Sequence, residues 1–169
     1  MTTQATLVSE AEYLAYRGKP NCEYVDGVMV PKAMGTRKHG KIQIWLGQLL
    51  SQRAPRFEPA AEQTVRLRGG KYFVPDIAVQ RRDAIQDPCP ELPIYLCVEI
   101  LSPGDRLGEM LSKGEAYHEW GVPYFWVVDP ETRQAWSYPR GGAPEEVSAD
   151  GEPTAGEIPI PMEEIFSVL

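Results

Sequence analysis

The sequence predicts a single domain of the α+β class. Segments in which apolar residues recur at helical spacing alternate along the chain with short runs of β-branched and aromatic residues, and two hairpin turns interrupt those runs. A length of 169 residues suits one domain with one sizeable core. We therefore expect one domain over residues 1–169, with a mobile loop at about 139–157, where glycine, proline and acidic residues accumulate.

The N-terminal third begins with a helix and a hairpin. Ser9 and Glu12 have the spacing of a capping box, which predicts a short helix that ends near Arg17. Asp26-Gly27 is a dipeptide that favours two-residue hairpin turns, because both residues tolerate positive φ angles. The segments on either side, at 22–25 and 28–30, are therefore expected to pair as strands.

A longer helix and several strands follow. Helical spacing predicts a helix over Arg37–Ala54, with His39 on its buried stripe. Phe57–Leu67 reads as one or two strands, and Tyr72–Gln80 as one further strand.

The C-terminal half predicts a strand, a helix and a second hairpin. In order, we expect a strand at Ile94–Leu101, a helix with Asp105 as its N-cap that ends at Trp120, a central strand at Tyr124–Val128, a paired strand at Arg133–Tyr138, an edge strand at Ile158–Pro161 and a short terminal helix. Lys113 falls on the inner side of the predicted helix, whereas His118 is expected at the surface.

Composition excludes several classes of protein. The sequence has no run of about 18 apolar residues and no N-terminal signal pattern, so we expect a cytoplasmic protein without membrane spans. Three cysteines without CxxC spacing do not predict a zinc site or a disulfide framework. The net charge of −7 argues against a broad nucleic-acid-binding surface, although basic residues gather locally at Lys32, Arg37, Lys38 and Lys41. Solvated surface is the default explanation for that group.

Glu99 is the residue that points to a functional site. It interrupts an apolar strand, and a buried ionised carboxylate costs several kcal/mol unless a cation, a metal or hydrogen bonds compensate it. Asp76 begins another apolar strand, and Lys113 can reach inward from the helix. Two carboxylates and a lysine form a hard oxygen site for Mg²⁺, which is the chemistry of phosphodiester hydrolysis.

Each of these residues also has a structural explanation. Asp76 could cap a loop amide after the preceding proline, and Glu99 could form a buried salt bridge with Lys113 or an arginine. Lys113 could instead extend along the edge of the core to water. His39 could be a satisfied core histidine, and Glu23 on the first hairpin could face solvent.

Several motifs in order resemble a known family. CEYVDGVMV, VPDIAV and LCVEILSPGDRLGEMLSKGEAYHEWGVPYFWVVDPET, with a helix led by a histidine, resemble the Uma-type bacterial family of restriction-endonuclease-like proteins over about Glu12 to Tyr138. That family is similar to the PD-(D/E)XK nuclease superfamily. The resemblance implies a restriction-endonuclease-like fold, with a central mixed β-sheet flanked by helices and an N-terminal β-hairpin.

The resemblance also implies a role for each candidate residue. Asp76 and Glu99 would be the acidic metal ligands, with the Ile100 carbonyl completing a site for Mg²⁺ or, in its place, Mn²⁺. Glu23 would be an additional catalytic carboxylate, and Lys113 the catalytic lysine.

One position departs from the superfamily pattern. The lysine normally lies two residues beyond the second acid, where this chain has Leu101, so the resemblance maps that role onto Lys113 in the next helix. His39 and Arg37, at the start of the longer helix, are candidate substrate contacts.

Two functions follow from these features. The first is a Mg²⁺-dependent endonuclease that acts on nucleic acid, with DNA favoured over RNA, as a homodimer that cuts two strands. The second is a non-catalytic interaction or nucleic-acid-binding domain on the same fold, in which the carboxylates and Lys113 form a structural ion-pair network. Hydrolysis of a phosphodiester other than nucleic acid is a third, weaker hypothesis.

Overall fold

The computed structural model describes residues 7–169. Within that range the elements, in chain order, are α1 (Glu10–Ala15), β1 (Cys22–Val25), β2 (Val28–Pro31), α2 (Arg37–Arg53), β3 (Phe57–Ala61), β4 (Val65–Leu67), β5 (Lys71–Phe73), β6 (Ile77–Arg81), β7 (Leu96–Ile100), α3 (Leu107–Trp120), β8 (Tyr124–Asp129), β9 (Gln134–Pro139), β10 (Glu145–Glu146) and α4 (Met162–Phe166). The α+β class is confirmed. Among these described helices, none combines the length and apolarity that crossing a membrane requires.

The larger sheet is mixed and has six strands in the order β10-β9-β8-β7-β6-β3. Strands β7 and β8 are parallel, and the other neighbours are antiparallel. Parallel neighbours need a crossover connection, and α3 supplies it. This arrangement confirms the central mixed sheet that the family resemblance implies, and it places β8 in the interior of the sheet, as predicted.

The N-terminal hairpin belongs to a second sheet. Strands β2-β1-β5-β4 form a four-stranded antiparallel sheet. The turn between β1 and β2 has positive φ at both Asp26 (49°) and Gly27 (83°), as predicted for this dipeptide. The hairpin therefore does not extend the main sheet but builds a separate layer that contacts it.

The prediction of one strand over Tyr72–Gln80 is wrong. Strand β5 ends at Phe73 in the smaller sheet, and β6 begins at Ile77 in the larger one. The intervening residues Val74, Pro75 and Asp76 carry the chain from one sheet to the other. Proline has no N–H to donate to a ladder, so Pro75 ends the regular pairing. Asp76 consequently lies where the two sheets meet.

Each face of the larger sheet packs against a different layer. Helices α2 and α4 cover one face with a core that includes Ile42, Leu46, Leu50, Ile77, Val98, Trp126 and Ile165. Helix α3 and the smaller sheet cover the other face with Val65, Phe73, Ala78, Cys97, Tyr117, Trp120 and Phe125. Side chains alternate along a strand, so Glu99 shares the second face with Cys97, and Asp76 shares it with Ala78.

Helix α3 ends at Trp120, as predicted, but its N-cap and the burial of His118 differ from the sequence prediction. Its N-cap is Arg106, and the Asp105 side chain instead accepts a hydrogen bond from the Ser102 N–H at 2.7 Å. His118, expected at the surface, is buried: its Nδ1 lies 2.8 Å from the Val122 carbonyl oxygen and its ring packs edge-on against Tyr138. The chain turns back at Gly121 and covers His118, which helical spacing alone does not show.

The C-terminal segment is packed but is not an edge strand. Ile158–Pro161 has no strand pairing, because prolines at 159 and 161 cannot donate to a ladder, yet Ile158 and Ile160 are buried in the core. Within residues 139–157, β10 pairs with β9, and the Trp126 indole N–H donates to the Thr154 carbonyl at 2.8 Å. The terminal helix α4 is confirmed.

Three tyrosines attach α1 to the smaller sheet. The Tyr13 ring stacks on Tyr24 with centroids 5.1 Å apart and contacts Tyr72 at 5.2 Å. The Tyr13 hydroxyl donates to the Cys22 carbonyl at 3.0 Å, and the predicted capping box between Ser9 and Glu12 forms. Burial, together with the nearby Glu23 carboxylate, raises the pKa of Tyr13 to about 12.

Substitution of Gly114 tests how closely α3 packs on β8. A Cβ atom at Gly114 would overlap the Phe125 ring, so Gly114→Ala should lower the free energy of unfolding by about 1–3 kcal/mol, although alanine favours helices. Gly47→Ala in α2 is the control: a Cβ there meets nothing within 4 Å, so this change should stabilise by up to about 1 kcal/mol. Urea unfolding measures both. Equal effects of the two changes would contradict the close approach.

The Tyr13 hydroxyl should make stability depend on pH in the alkaline range. Below about pH 10 the folded and unfolded chains both keep this proton; above it the unfolded chain releases the proton first, so its contribution to stability falls as the pH approaches 12. At pH 8 we expect Tyr13→Phe to be about 1 kcal/mol less stable than the parent, because it loses the hydrogen bond to Cys22. Urea unfolding at pH 11 should show a smaller difference. A constant difference would contradict the shifted pKa.

Candidate functional site

Two buried carboxylates face each other where β6 begins and β7 ends. The antiparallel register pairs Ile77 with Val98, which places Asp76 across from Glu99. Both side chains are only 4% exposed. Their close approach requires compensating positive charge, because two unpaired carboxylates cannot be buried together at neutral pH.

Asp76 is held by three groups. Its Oδ2 accepts a hydrogen bond from the Ile100 N–H at 2.7 Å, and its Oδ1 accepts one from the Lys32 ammonium at 2.7 Å. The His39 Nε2 lies 3.5 Å from the same Oδ1. Burial alone would raise the pKa of Asp76, but His39 and Lys32 lower it below the usual range. Asp76 is therefore ionised at neutral pH.

Glu99 is paired with Lys113, as the sequence allows. The Lys113 Nζ lies 2.6 Å from Glu99 Oε1, which also accepts a hydrogen bond from the Tyr117 hydroxyl at 3.1 Å. Burial raises the pKa of Glu99 above its ordinary value, and the charges of Lys113 and Lys32 oppose that rise without cancelling it. Burial alone would lower the pKa of Lys113, but Glu99 and Glu23 raise it above its ordinary value. Lys113 therefore carries its charge inside the core.

Glu23 connects the smaller sheet to this pair. Its Oε1 lies 2.6 Å from the Lys113 Nζ and accepts a hydrogen bond from the Val74 N–H at 2.8 Å. The side chain is 13% exposed, so it faces the site and not bulk solvent. Glu23 thus fixes both the ammonium of Lys113 and the segment that carries Asp76.

Lys32 is a member of the site that sequence reasoning missed. Its Nζ donates to the Val74 carbonyl at 2.5 Å and to Asp76 Oδ1 at 2.7 Å, and it lies 3.9 Å from Glu99 Oε2. Burial alone would lower the pKa of Lys32, but Glu99 and Asp76 raise it. The one feature of the sequence that could have pointed to Lys32 is its position directly after the predicted hairpin. Lys32 was instead predicted to lie at the surface with other basic residues, because its partners Asp76 and Glu99 lie far along the chain.

His39 and Arg37 lie at the start of α2. His39 is buried, and its Nδ1 lies 3.1 Å from the Ser102 Oγ, while Nε2 faces Asp76. Arg37 is exposed in the first helical turn. A cleft of about 300 Å³ passes this region, and Lys19, Lys32, Thr36, His39 and Asp76 are among its lining residues. Among the carboxylates of the site, Asp76 is the one that lines this cleft.

The oxygen atoms of the site suit a hard divalent cation. Asp76, Glu99 and the Val74 carbonyl surround one position, and oxygen donors of this kind bind Mg²⁺ and Mn²⁺. The Lys32 ammonium lies at that position, and residues 7–169 contain no cluster of three or more histidine, cysteine or acidic side chains arranged around a metal position. Ile100 contributes its N–H to Asp76; metal binding by its carbonyl stays a prediction.

Comparison with known proteins identifies a family and a solved structure of similar fold. Residues 10–165 match the model of the Uma2 family, described as "Putative restriction endonuclease". The fold is similar to that of a crystal structure from Anabaena variabilis ATCC 29413, described as a "putative nuclease belonging to DUF820", with a TM-score of 0.81, 20% identity, and coverage of 95% of this chain and 98% of that chain. A search of curated proteins gave no match.

Removal of the Lys113 charge should destabilise the protein strongly. Lys113→Met leaves Glu23 and Glu99 buried without their shared cation, so the free energy of unfolding should fall by about 3–5 kcal/mol. Lys38→Met is the matched control. Lys38 pairs with Glu131 in an exposed ion pair, and its loss should cost no more than about 1 kcal/mol. Urea unfolding at pH 7 measures both. A loss below 1 kcal/mol for Lys113→Met would show that the buried pairs do not stabilise the fold.

Proposed function

This chain belongs to the Uma2 family, and on that premise we propose that it is a metal-dependent endonuclease that hydrolyses phosphodiester bonds of nucleic acid, with DNA as its substrate. The family description and the nuclease-like fold support hydrolysis of nucleic acid in general. The choice of DNA, the use of Mg²⁺ and the roles of the residues are parts of the proposal.

One observation carries the proposal. The oxygens of Asp76 and Glu99 converge on a single cation position, and the Lys113 ammonium lies against Glu99 on the side of α3. Leu101 occupies the sequence position that the superfamily usually gives to lysine, but Lys113 reaches the second carboxylate from the next helix. Two acids and a lysine are therefore close in space although the sequence spacing differs.

In this proposal Asp76 and Glu99 hold Mg²⁺, or Mn²⁺ in its place, with the Val74 carbonyl or the Ile100 carbonyl as a further ligand. When bound, such an ion supplies Lewis acidity that lowers the pKa of water and polarises a phosphate oxygen. Glu23 holds Lys113 in position, as its contact with that ammonium supports.

Lys113 can act on the substrate while it keeps its carboxylate partners. An ammonium group has three N–H donors, and Glu23 and Glu99 accept two of them. The third can hydrogen-bond the attacking water or a phosphate oxygen, where it offsets the negative charge that develops.

The cleft beside α2 is the proposed path of the substrate. His39 lines it and Arg37 lies exposed at the same end of the helix, so both could contact phosphates there. Local positive charge is needed, since the net charge of −7 does not favour a broad nucleic-acid surface. We further propose that the enzyme works in the cytoplasm and that two copies act on the two strands of DNA.

The competing function is a non-catalytic domain with a structural ion-pair network. A specific observation favours it: every carboxylate of the site already contacts a lysine ammonium. Such a network would hold the two sheets together without any metal. The two functions differ in whether a divalent ion binds at all.

Cleavage of labelled substrates by site variants tests the proposal. We expect the parent to cut double-stranded DNA in Mg²⁺ or Mn²⁺ but not in EDTA, and Asp76→Asn or Glu99→Gln to reduce the rate by about 100-fold or more, because each removes a charged ligand. Asp83→Asn is the control, since that carboxylate lies on the surface beside Arg81. Gel assays should include single-stranded DNA and RNA of the same sequence.

Two results would contradict the proposal. Cleavage that survives Asp76→Asn would place the activity elsewhere. If calorimetry detects no Mn²⁺ binding to the folded parent, with and without DNA present, the ion-pair network is the better description of the site.

A further inference from the structure

The ammonium of Lys32 occupies the position where a divalent ion would bind. The Val74 carbonyl and the Asp76 carboxylate lie 2.5 and 2.7 Å from its Nζ, and a Glu99 oxygen lies at 3.9 Å. Mg²⁺ binds its oxygen ligands at about 2.0–2.1 Å and Ca²⁺ at about 2.3–2.6 Å. An ammonium and a metal ion therefore cannot share this set of oxygens, and one must leave before the other binds.

The charges of the site favour replacement of the Lys32 ammonium by a divalent ion over binding of the ion beside it. With His39 counted as neutral, Glu23, Asp76 and Glu99 contribute three negative charges, whereas Lys32 and Lys113 contribute two positive charges. If a divalent ion replaced Lys32, carboxylates and cations would balance. If the ion were added while Lys32 stayed, the buried site would carry excess positive charge, which is costly away from water.

Lys32 has room to leave. It follows β2 and is anchored through its own N–H, which donates to the Asn21 carbonyl at 2.9 Å, so the side chain can move while the backbone stays in place. The side chain is 16% exposed and lines the cleft beside α2. Four methylene groups and rotatable torsions allow the ammonium to reach water through this opening.

We propose that Lys32 is an internal competitor for the metal site: its ammonium holds Asp76 and Glu99 together in the metal-free protein, and a divalent ion binds by displacing it into the cleft. This inference rests on the proposed metal-dependent function. The protein then stays folded and charge-compensated without metal, and its affinity for metal is lower than the carboxylates alone would give.

Calorimetric titration of Mn²⁺ into metal-free protein tests the competition. Lys32→Met keeps the length of the side chain but removes its charge, so the variant should bind Mn²⁺ about tenfold or more tightly than the parent. Lys38→Met makes the same change in an exposed lysine that pairs with Glu131, and its Mn²⁺ affinity should match that of the parent. If Mn²⁺ binding is detected without DNA in Lys32→Met but not in the parent, the proposal is supported only when the parent binds Mn²⁺ once DNA is present; otherwise it is overturned.

Thermal unfolding provides a readout that does not depend on activity. Without metal, Lys32→Met should unfold at a lower temperature than the parent, because Asp76 loses its ammonium partner. At a fixed Mn²⁺ concentration the rise in Tm should be larger for Lys32→Met than for the parent, since tighter binding stabilises the folded state more. If Lys32→Met does not fold without metal, Lys32→Gln takes its place, because an amide can still donate to the Val74 carbonyl.

The outcomes separate this inference from the function on which it rests. If the parent binds Mn²⁺ and Lys32→Met binds it equally or more weakly, Lys32 is not a competitor, and the metal site survives. If Lys38→Met tightens binding as much as Lys32→Met does, the effect is one of overall charge and the inference is overturned. If neither the parent nor Lys32→Met binds Mn²⁺, both the inference and the metal-dependent function are overturned.

Discussion

The burial of the Glu99 carboxylate is the constraint on which the arrangement of the surrounding layers depends. Glu99 lies in an inner strand of the larger sheet, so water cannot solvate it and the chain must supply a cation. Lys113 does so from α3, and Glu23 from the smaller sheet shares the same ammonium. One buried charge thus determines how a strand, a helix and a hairpin from three parts of the chain must meet.

The carboxylates of the site can have a structural or a catalytic role, depending on whether a lysine ammonium or a divalent ion lies between them. With lysine ammonium groups alone, the carboxylates form a buried ion-pair cluster of a kind that often contributes little net stability compared with apolar packing. With the divalent ion of the proposed function in place, they would be its ligands. If the buried charges add little net stability, stability alone does not explain why they are present. This favours a catalytic role over a purely structural one for the site.

Local sequence patterns predicted most of the helices and turns, whereas the pairing of distant strands determines which residues meet at the candidate site. The Asp26-Gly27 turn, the capping box and helix α2 depend on residues within one or two turns, and the sequence predicted all three. The position of Lys32 depends on the pairing of β1 with β5, which no local pattern specifies. The strand predicted across Pro75 failed for the same reason, because alternation of apolar residues cannot show that the chain changes sheets. The sequence alone was enough to name Asp76, Glu99 and Lys113 as candidate site residues, because their expected burial, their residue types and the family resemblance agreed.

The short segment of Val74, Pro75 and Asp76 has a consequence for folding kinetics. It is shared between the two sheets, and its contacts with Glu23 and Lys32 join residues that are far apart in sequence. Non-local contacts of that kind slow folding, since the entropy of closing a long loop must be overcome before they stabilise anything. The larger sheet, with its hairpin of β8 and β9, can begin to form without them. Glu23 and Lys32 come from the N-terminal hairpin, whereas Glu99 lies in the larger sheet, so the whole set of charges is assembled only where the two sheets meet.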